Sequence, residues 1–232
     1  MRKIVVMNTK GGCGKTTIAT NLASYYAKRG LASVLYDYDP QGSSTRWLKV
    51  RSDKFDTITG IAAFENTQSN MTRTFQLRAP QDSQRIIVDT PAALSKDQMF
   101  HFARYADVII IPVLPSSIDS HVAAEFVRQL MVLAKVKMHG THLAIVANRV
   151  RENTKAFRSL ERFLSSLKIP VLAHLRDTQN YVKAADKGIG IHEITTGNNY
   201  RDKQHWRNMI DSIELTMENL AEVQDSVNHP LR

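Results

Sequence analysis

The chain has 232 residues, with 31 Lys and Arg against 22 Asp and Glu, a formal net charge of +9. At 43% hydrophobic and 23% charged, its composition excludes a disordered polymer, and no apolar run reaches the roughly 18 residues that a membrane-spanning helix needs. A single cysteine, Cys13, excludes an internal disulfide and a thiolate-built metal site, and the start, Met1-Arg2-Lys3 into an apolar run, has no cleavable signal pattern. A cytoplasmic protein is expected.

Short β-branched runs alternate with longer helical patterns from one end to the other. That rhythm predicts an α/β fold, a doubly wound, mostly parallel sheet with helices on both faces, in one domain spanning 1–232. Strands are expected at 3–8, 33–38, 85–89, 108–113, 142–148 and 171–174. Helices are expected near 16–29, 96–105, 117–137, 154–167 and 178–185, with Gly30 closing the first. Between 52 and 84 the pattern is weaker; 58–64 and 71–77 read as short helices. At the end, Trp206, Ile210, Ile213, Met217, Leu220 and Val227 recur every three to four residues, the stripe of an amphipathic helix over about 201–227. Its exposed positions Asp211, Glu214, Glu218, Glu222 and Asp225 are acidic, which favours packing on the sheet or on a partner subunit over an anionic membrane.

Three segments carry chemistry. Directly after the first strand comes Thr9-Lys10-Gly11-Gly12-Cys13-Gly14-Lys15-Thr16-Thr17, opening a helix. Glycines let the backbone curl so that N–H groups point at phosphate oxygens, and the helix N-terminus adds its positive end. Lys15 would reach the β- and γ-phosphates and the Thr16 hydroxyl would ligate Mg²⁺. Position 9 is threonine where the standard phosphate loop has glycine; a lysine ahead of two glycines makes this the deviant Walker A pattern. After the second strand stands Asp37-Tyr38-Asp39-Pro40-Gln41-Gly42. A carboxylate at the C-terminal end of a parallel strand lies where ligands bind, so Asp39 would orient the attacking water, while Asp37 serves either the metal shell or the strand end. The third segment, Arg85-Ile86-Ile87-Val88-Asp89-Thr90-Pro91, reads as a buried strand that delivers Asp89 to the metal.

With these three motifs in order, the chain resembles the deviant Walker A ATPases, P-loop NTPases that include ParA-type partition ATPases and MinD. It is similar over nearly its whole length, most of all to small ParF-like members that begin at the phosphate-loop strand without a helix-turn-helix. The resemblance implies ATP and Mg²⁺ as ligands, with Lys10, Gly11, Gly12, Cys13, Gly14, Lys15, Thr16, Thr17 and Asn148 around the nucleotide and Thr16 and Asp89 on the metal. It gives catalytic parts to Asp39, Lys15 and Lys10, the last reaching across an ATP-dependent homodimer. The segment 106–115 looks like the family's strand and P-x-x-P loop, followed by Asp119, and Asn148 falls where relatives contact adenine.

Alternatives within this superfamily separate on residues. An iron–sulfur protein needs paired thiolates, and Cys13 stands alone. A MinD-like membrane switch should end in a basic helix, whereas residues 211–232 hold five carboxylates and one arginine. A P-loop small-molecule kinase or ligase would need a second polar pocket, for which 52–84 leaves room.

Residues 146–210 hold 12 basic and 6 acidic side chains. Arg149, Arg151, Lys155, Arg158, Arg162, Lys183, Lys187, Arg201, Lys203 and Arg207 are the prominent cations, suited to sequence-independent DNA binding. On the resemblance, Lys183, Arg201, Lys203 and Arg207 are the DNA-binding candidates. The expected function is an ATPase whose ATP-bound dimer binds nucleoid DNA nonspecifically and is released when a ParB-like or other cargo adaptor stimulates hydrolysis. The cargo would be plasmid or chromosome DNA or, alternatively, a carboxysome or chemoreceptor cluster, with no membrane partner.

Overall fold

Among the described residues, seven strands run parallel in one sheet: β1 (Arg2–Val6), β2 (Ser33–Asp37), β3 (Ile58–Ala62), β4 (Arg85–Asp89), β5 (Val108–Val113), β6 (His142–Val150) and β7 (Val171–Arg176). Their spatial order is β3-β2-β4-β1-β5-β6-β7. The computed structural model describes residues 1–68, 78–132 and 134–228. The helices are α1 (Lys15–Lys28), α2 (Ser43–Val50), α3 (Lys96–Tyr105), α4 (Ser117–Val132), α5 (Lys155–Ser166), α6 (Gln179–Ala185) and α7 (Tyr200–Asn228).

The central strands are buried on both faces, and the side chains alternate between two cores. Val5, Val34, Val88, Ile109, Ile111 and Ile145 face α3, α4 and α5, meeting Phe102, Phe126 and Phe157. Ile4, Val6, Leu35, Ile87, Ile110 and Val146 face α1 and α7, meeting Ile18, Leu22 and Trp206. In α7, Trp206, Met209, Ile210, Ile213 and Met217 are buried in the second core, so this length of the stripe packs on the sheet. Leu220 and Val227 carry the stripe on in sequence, and Glu214 pairs with Arg85 at the start of β4.

Two expectations change. Residues 58–64 are not a helix: Ile58–Ala62 form the edge strand β3, in register with β2 from Ser33↔Ile58 to Asp37↔Ala62. Ile58, Thr59 and Ile61 are β-branched, and Gly60 is the close approach of Leu48, whose Cδ1 would stand 2.5 Å from a Cβ there. The expected helix at 71–77 lies outside the described residues. The helix predicted for 117–137 ends at Val132, and Lys135 takes φ 50°, a left-handed value that interrupts a helix.

A buried ion pair ties distant segments together. Arg51, just past α2, donates from Nη1 to Glu193 Oε2 (2.9 Å) and from Nη2 to Glu193 Oε1 (2.7 Å), and also bonds the carbonyls of Gly188 and Asp56. The two side chains are only 5% and 2% exposed.

Candidate functional site

The C-terminal ends of β1, β2, β4 and β6 converge on one crevice, the ligand side of an open parallel sheet. The loop after β1 curls through Gly12 at φ 72° and Gly14 at φ 101°, left-handed values that a Cβ resists. A Cβ on Gly14 would also stand 2.0 Å from Asn148 Nδ2. That amide donates to the Cys13 carbonyl at 2.8 Å, so Asn148 grips the loop backbone from β6. Helix α1 then starts at Lys15 with no side-chain cap and no acidic residue in its first turn, leaving its positive N-terminal end for an anion.

Lys15 is buried, with Nζ 3.3 Å from the Lys10 carbonyl and no ion-pair partner among the described residues. An ammonium buried there without a direct ion pair is costly, and a phosphate would offset that cost. Lys10 is half-buried at the mouth of the loop, its N–H donating to Asn8 Oδ1 at 3.1 Å. Thr16 and Thr17 follow on the first turn of α1, both half-buried.

Asp89 is fully buried at the end of β4; Oδ2 accepts from Ser44 at 2.7 Å, whereas Oδ1 has no partner. Burial pushes its carboxyl up to about 7, against the hydrogen bonds of Ser44 and Thr16 and the charge of Lys15, while Asp37 adds to the rise. An orphaned carboxylate oxygen beside the Thr16 hydroxyl suits a divalent cation, whose charge would restore the ionised form. Among the described residues no cluster of three or more His, Cys, Asp or Glu could hold a metal alone. Two oxygen donors, from Thr16 and Asp89, would suit a Mg²⁺ completed by water and substrate phosphates rather than a protein cage.

Asp37 has a structural task, with Oδ2 accepting from Thr45 N (2.8 Å) and Oγ1 (2.9 Å) and Oδ1 from Asp39 N (3.1 Å), which fastens the first turn of α2. Asp39 is half-buried; Oδ1 accepts from Gln41 N at 2.9 Å, and Oδ2 has no hydrogen bond among the described residues. Asp119, at the start of α4, is buried with Oδ2 on Ser116 Oγ and Oδ1 without a partner.

Beyond Thr17 the crevice continues as a cleft of about 420 Å³ lined by Thr17, Asn148, Arg149, Arg176, Asp177 and Tyr181, among others. Arg176 and Asp177 carry no motif in the sequence, although the end of the seventh strand is where a parallel sheet offers ligand groups. Thr17, Tyr181 and Ala185 also border a groove of about 430 Å³ between α1, α2 and α6, which contains Arg46 and Trp47.

The four DNA-binding candidates divide between α6, which carries Lys183, and α7, which carries Arg201, Lys203 and Arg207. Lys183, on α6, and Arg207 are exposed. Arg201 is paired with Glu152 at 3.1 Å. Lys203 Nζ donates to the Ile194 carbonyl at 2.6 Å, and burial followed by the charge of Lys28 pushes its ammonium down. By contrast Lys155, Arg158 and Arg162 are exposed at i, i+3 and i+7 on α5 and have no ion-pair partner among the described residues. With Ser159 and Glu161 they line a shallow furrow of about 470 Å³.

The description of the CobQ/CobB/MinD/ParA nucleotide binding domain matches residues 4–191. Maintenance of carboxysome distribution protein A of Halothiobacillus neapolitanus is 28% identical over 192 residues, 82% of this chain and 87% of that protein. The chromosome-partitioning ATPase Soj of Thermus thermophilus is 50% identical over 54 residues, 23% of this chain and 22% of Soj. An ATP complex of McdA from Cyanothece has the same fold, with a TM-score of 0.72 at 15% identity, covering 92% of this chain and 96% of that one.

Proposed function

Because the chain belongs to the CobQ/CobB/MinD/ParA nucleotide-binding family, we propose that it is a positioning ATPase, an ATP-dependent dimer that holds DNA and lets go after hydrolysis. The observation that carries this reading is the crevice itself: an uncapped helix start, a buried unpaired lysine and an orphaned buried carboxylate oxygen meet at one end of the sheet. Thr16 and Asp89 would hold Mg²⁺, which when bound neutralises phosphate charge. Gly11, Gly12, Cys13, Gly14, Thr17 and the α1 N-terminus present backbone donors to the phosphates, and Lys15 supplies a fixed positive charge. Asp39 presents its second oxygen to the attacking water. Lys10, at the loop's mouth, reaches the nucleotide of a second copy. Asn148 shapes the loop, and the adjoining cleft takes the base.

For the DNA, the unpaired row Lys155, Arg158 and Arg162 is the better phosphate-facing surface, with Lys183 and Arg207 as further contacts. A cargo adaptor would trigger release, in the cytoplasm and at the nucleoid. The likeness to carboxysome distribution proteins over most of both chains favours a second reading of the cargo, a protein-bounded body rather than a plasmid or chromosome.

Retention on nonspecific duplex DNA should require ATP, weaken steeply with salt and be lost after turnover, and Lys10→Ala should abolish the ATP-dependent dimer in sedimentation. Equal retention of the nucleotide-free chain would refute the switch, and an ATP-dependent dimer formed by the variant would remove Lys10 from the interface.

A further inference from the structure

Two arginines of this chain meet carboxylates in opposite ways. Arg51 spends both Nη groups on Glu193 and on backbone carbonyls, so its donors are saturated inside the fold. Arg176 offers Asp202 only its Nε, at 2.9 Å from Oδ1; neither Nη group has a partner among the described residues, and the side chain lines the cleft beyond Thr17 at 27% exposure. The side chain that carries these unspent donors borders a place where a ligand can sit.

Asp202 is fully buried in the first turn of α7, and its other oxygen accepts from Asn180 Nδ2 at 2.7 Å. One turn on, Trp206 Nε1 donates to the Tyr181 hydroxyl at 3.0 Å. One face of α7 thus fastens both the end of β7 and α6, the two elements that wall the cleft. Burying a carboxylate in this way is a poor route to stability, since well-packed apolar groups often serve as well or better. Its geometry does what an apolar group cannot: it holds the guanidinium by its Nε edge and leaves both Nη donors unspent.

We propose that Arg176 is a nucleotide-binding residue of this cleft and that Asp202 is its positioning residue. The Nη donors engage acceptors on the part that ATP and ADP share, the base, ribose or α-phosphate, while Lys15 serves the phosphate end. The proposal rests on the reading of the crevice as a nucleotide site, and it gives α7 a part in that site beyond covering the sheet.

Calorimetric titration of the full chain with ATP and with ADP tests it. Arg176→Gln should weaken both nucleotides alike, by on the order of tenfold, the loss of charge-assisted hydrogen bonds. Asp202→Asn should weaken both by a smaller factor, and the double variant should be no worse than Arg176→Gln, since the asparagine oxygen can still accept from Asn180 and the rest of its effect runs through the arginine. In steady-state hydrolysis the loss should fall on KM rather than kcat, a split that general loosening of the fold would not give. Unchanged ADP affinity in Arg176→Gln, or a loss confined to ATP, would overturn the proposal. A wild-type chain that binds neither nucleotide would instead overturn the reading on which it rests. Should Asp202→Asn fail to fold, Arg176→Gln, with its partly exposed side chain, still decides.

Discussion

Asp39 has one oxygen tied to its own turn and one left over, and that division sets what its removal does. Nothing in the phosphate loop depends on its side chain, so Asp39→Ala should bind ATP within about twofold of wild type while phosphate release falls by on the order of 100-fold. Turnover at the wild-type rate would place water activation elsewhere. His192 is a different kind of residue, with both ring nitrogens buried and without partners. Burial pushes its pKa down to about 4; Glu193 pulls it up, and Lys28 and Arg51 help to hold it down. The folded state therefore resists a proton that the unfolded chain accepts near pH 6.5. Stability should fall as pH drops from about 6.5 to about 4, by on the order of 3 kcal/mol from this group. Denaturant midpoints at pH 7 and pH 5 check it: His192→Phe should lose less stability between the two than wild type, and an equal loss would remove His192 from the account.

At the scale of elements, α7 is held by its apolar stripe, and Trp206, fully buried, is the largest side chain in it. Trp206→Ala should cost about 3–5 kcal/mol in chemical denaturation, the usual range for removing a buried indole. A loss below 1 kcal/mol would mean that the helix is held by other contacts. This stripe was legible in the sequence because a 3.6-residue period survives in the order of the residues. So were β1, β2, β4 and β5, whose apolar runs are short and bounded. The edge strand β3 was not, since Ile-Thr-Gly-Ile gains its meaning from pairing with β2 and from Leu48 above Gly60. Helix α2 escaped notice because its first turn is fastened by Asp37, eight residues before Thr45, a bond that no periodicity records. The phosphate loop was readable as a motif. The cleft around Arg176 was not, because its walls come from α1, β6, β7 and α6 and meet only on folding.

Across the whole molecule the charge is uneven. The sequence concentrates cations between 146 and 210, and folding then neutralises some of them internally: Arg151 by Asp177, Arg176 by Asp202 and Arg201 by Glu152. What is left for an external polyanion is fewer residues than the composition suggests, and Lys155, Arg158 and Arg162 form the most regular row among them. Reversing all three to glutamate should lower the slope of log affinity for DNA against log salt by about 2–3, as expected for three lost phosphate contacts. Filter binding over a salt series measures this, with the thermal midpoint as a check on folding. An unchanged slope would return the contact to Lys183 and Arg207.

The Arg51–Glu193 pair has a mechanical consequence. Helix α2 is held at both ends: a buried, fully bonded guanidinium fastens the chain just past its C-terminus, while Ser44 on Asp89 and Thr45 on Asp37 fasten its first turn. A rod fixed at both ends neither slides nor pivots. The bend between β2 and α2, which carries Asp39 and turns at Gly42 with φ 62°, is therefore slung between two fixed points and can change shape only within itself.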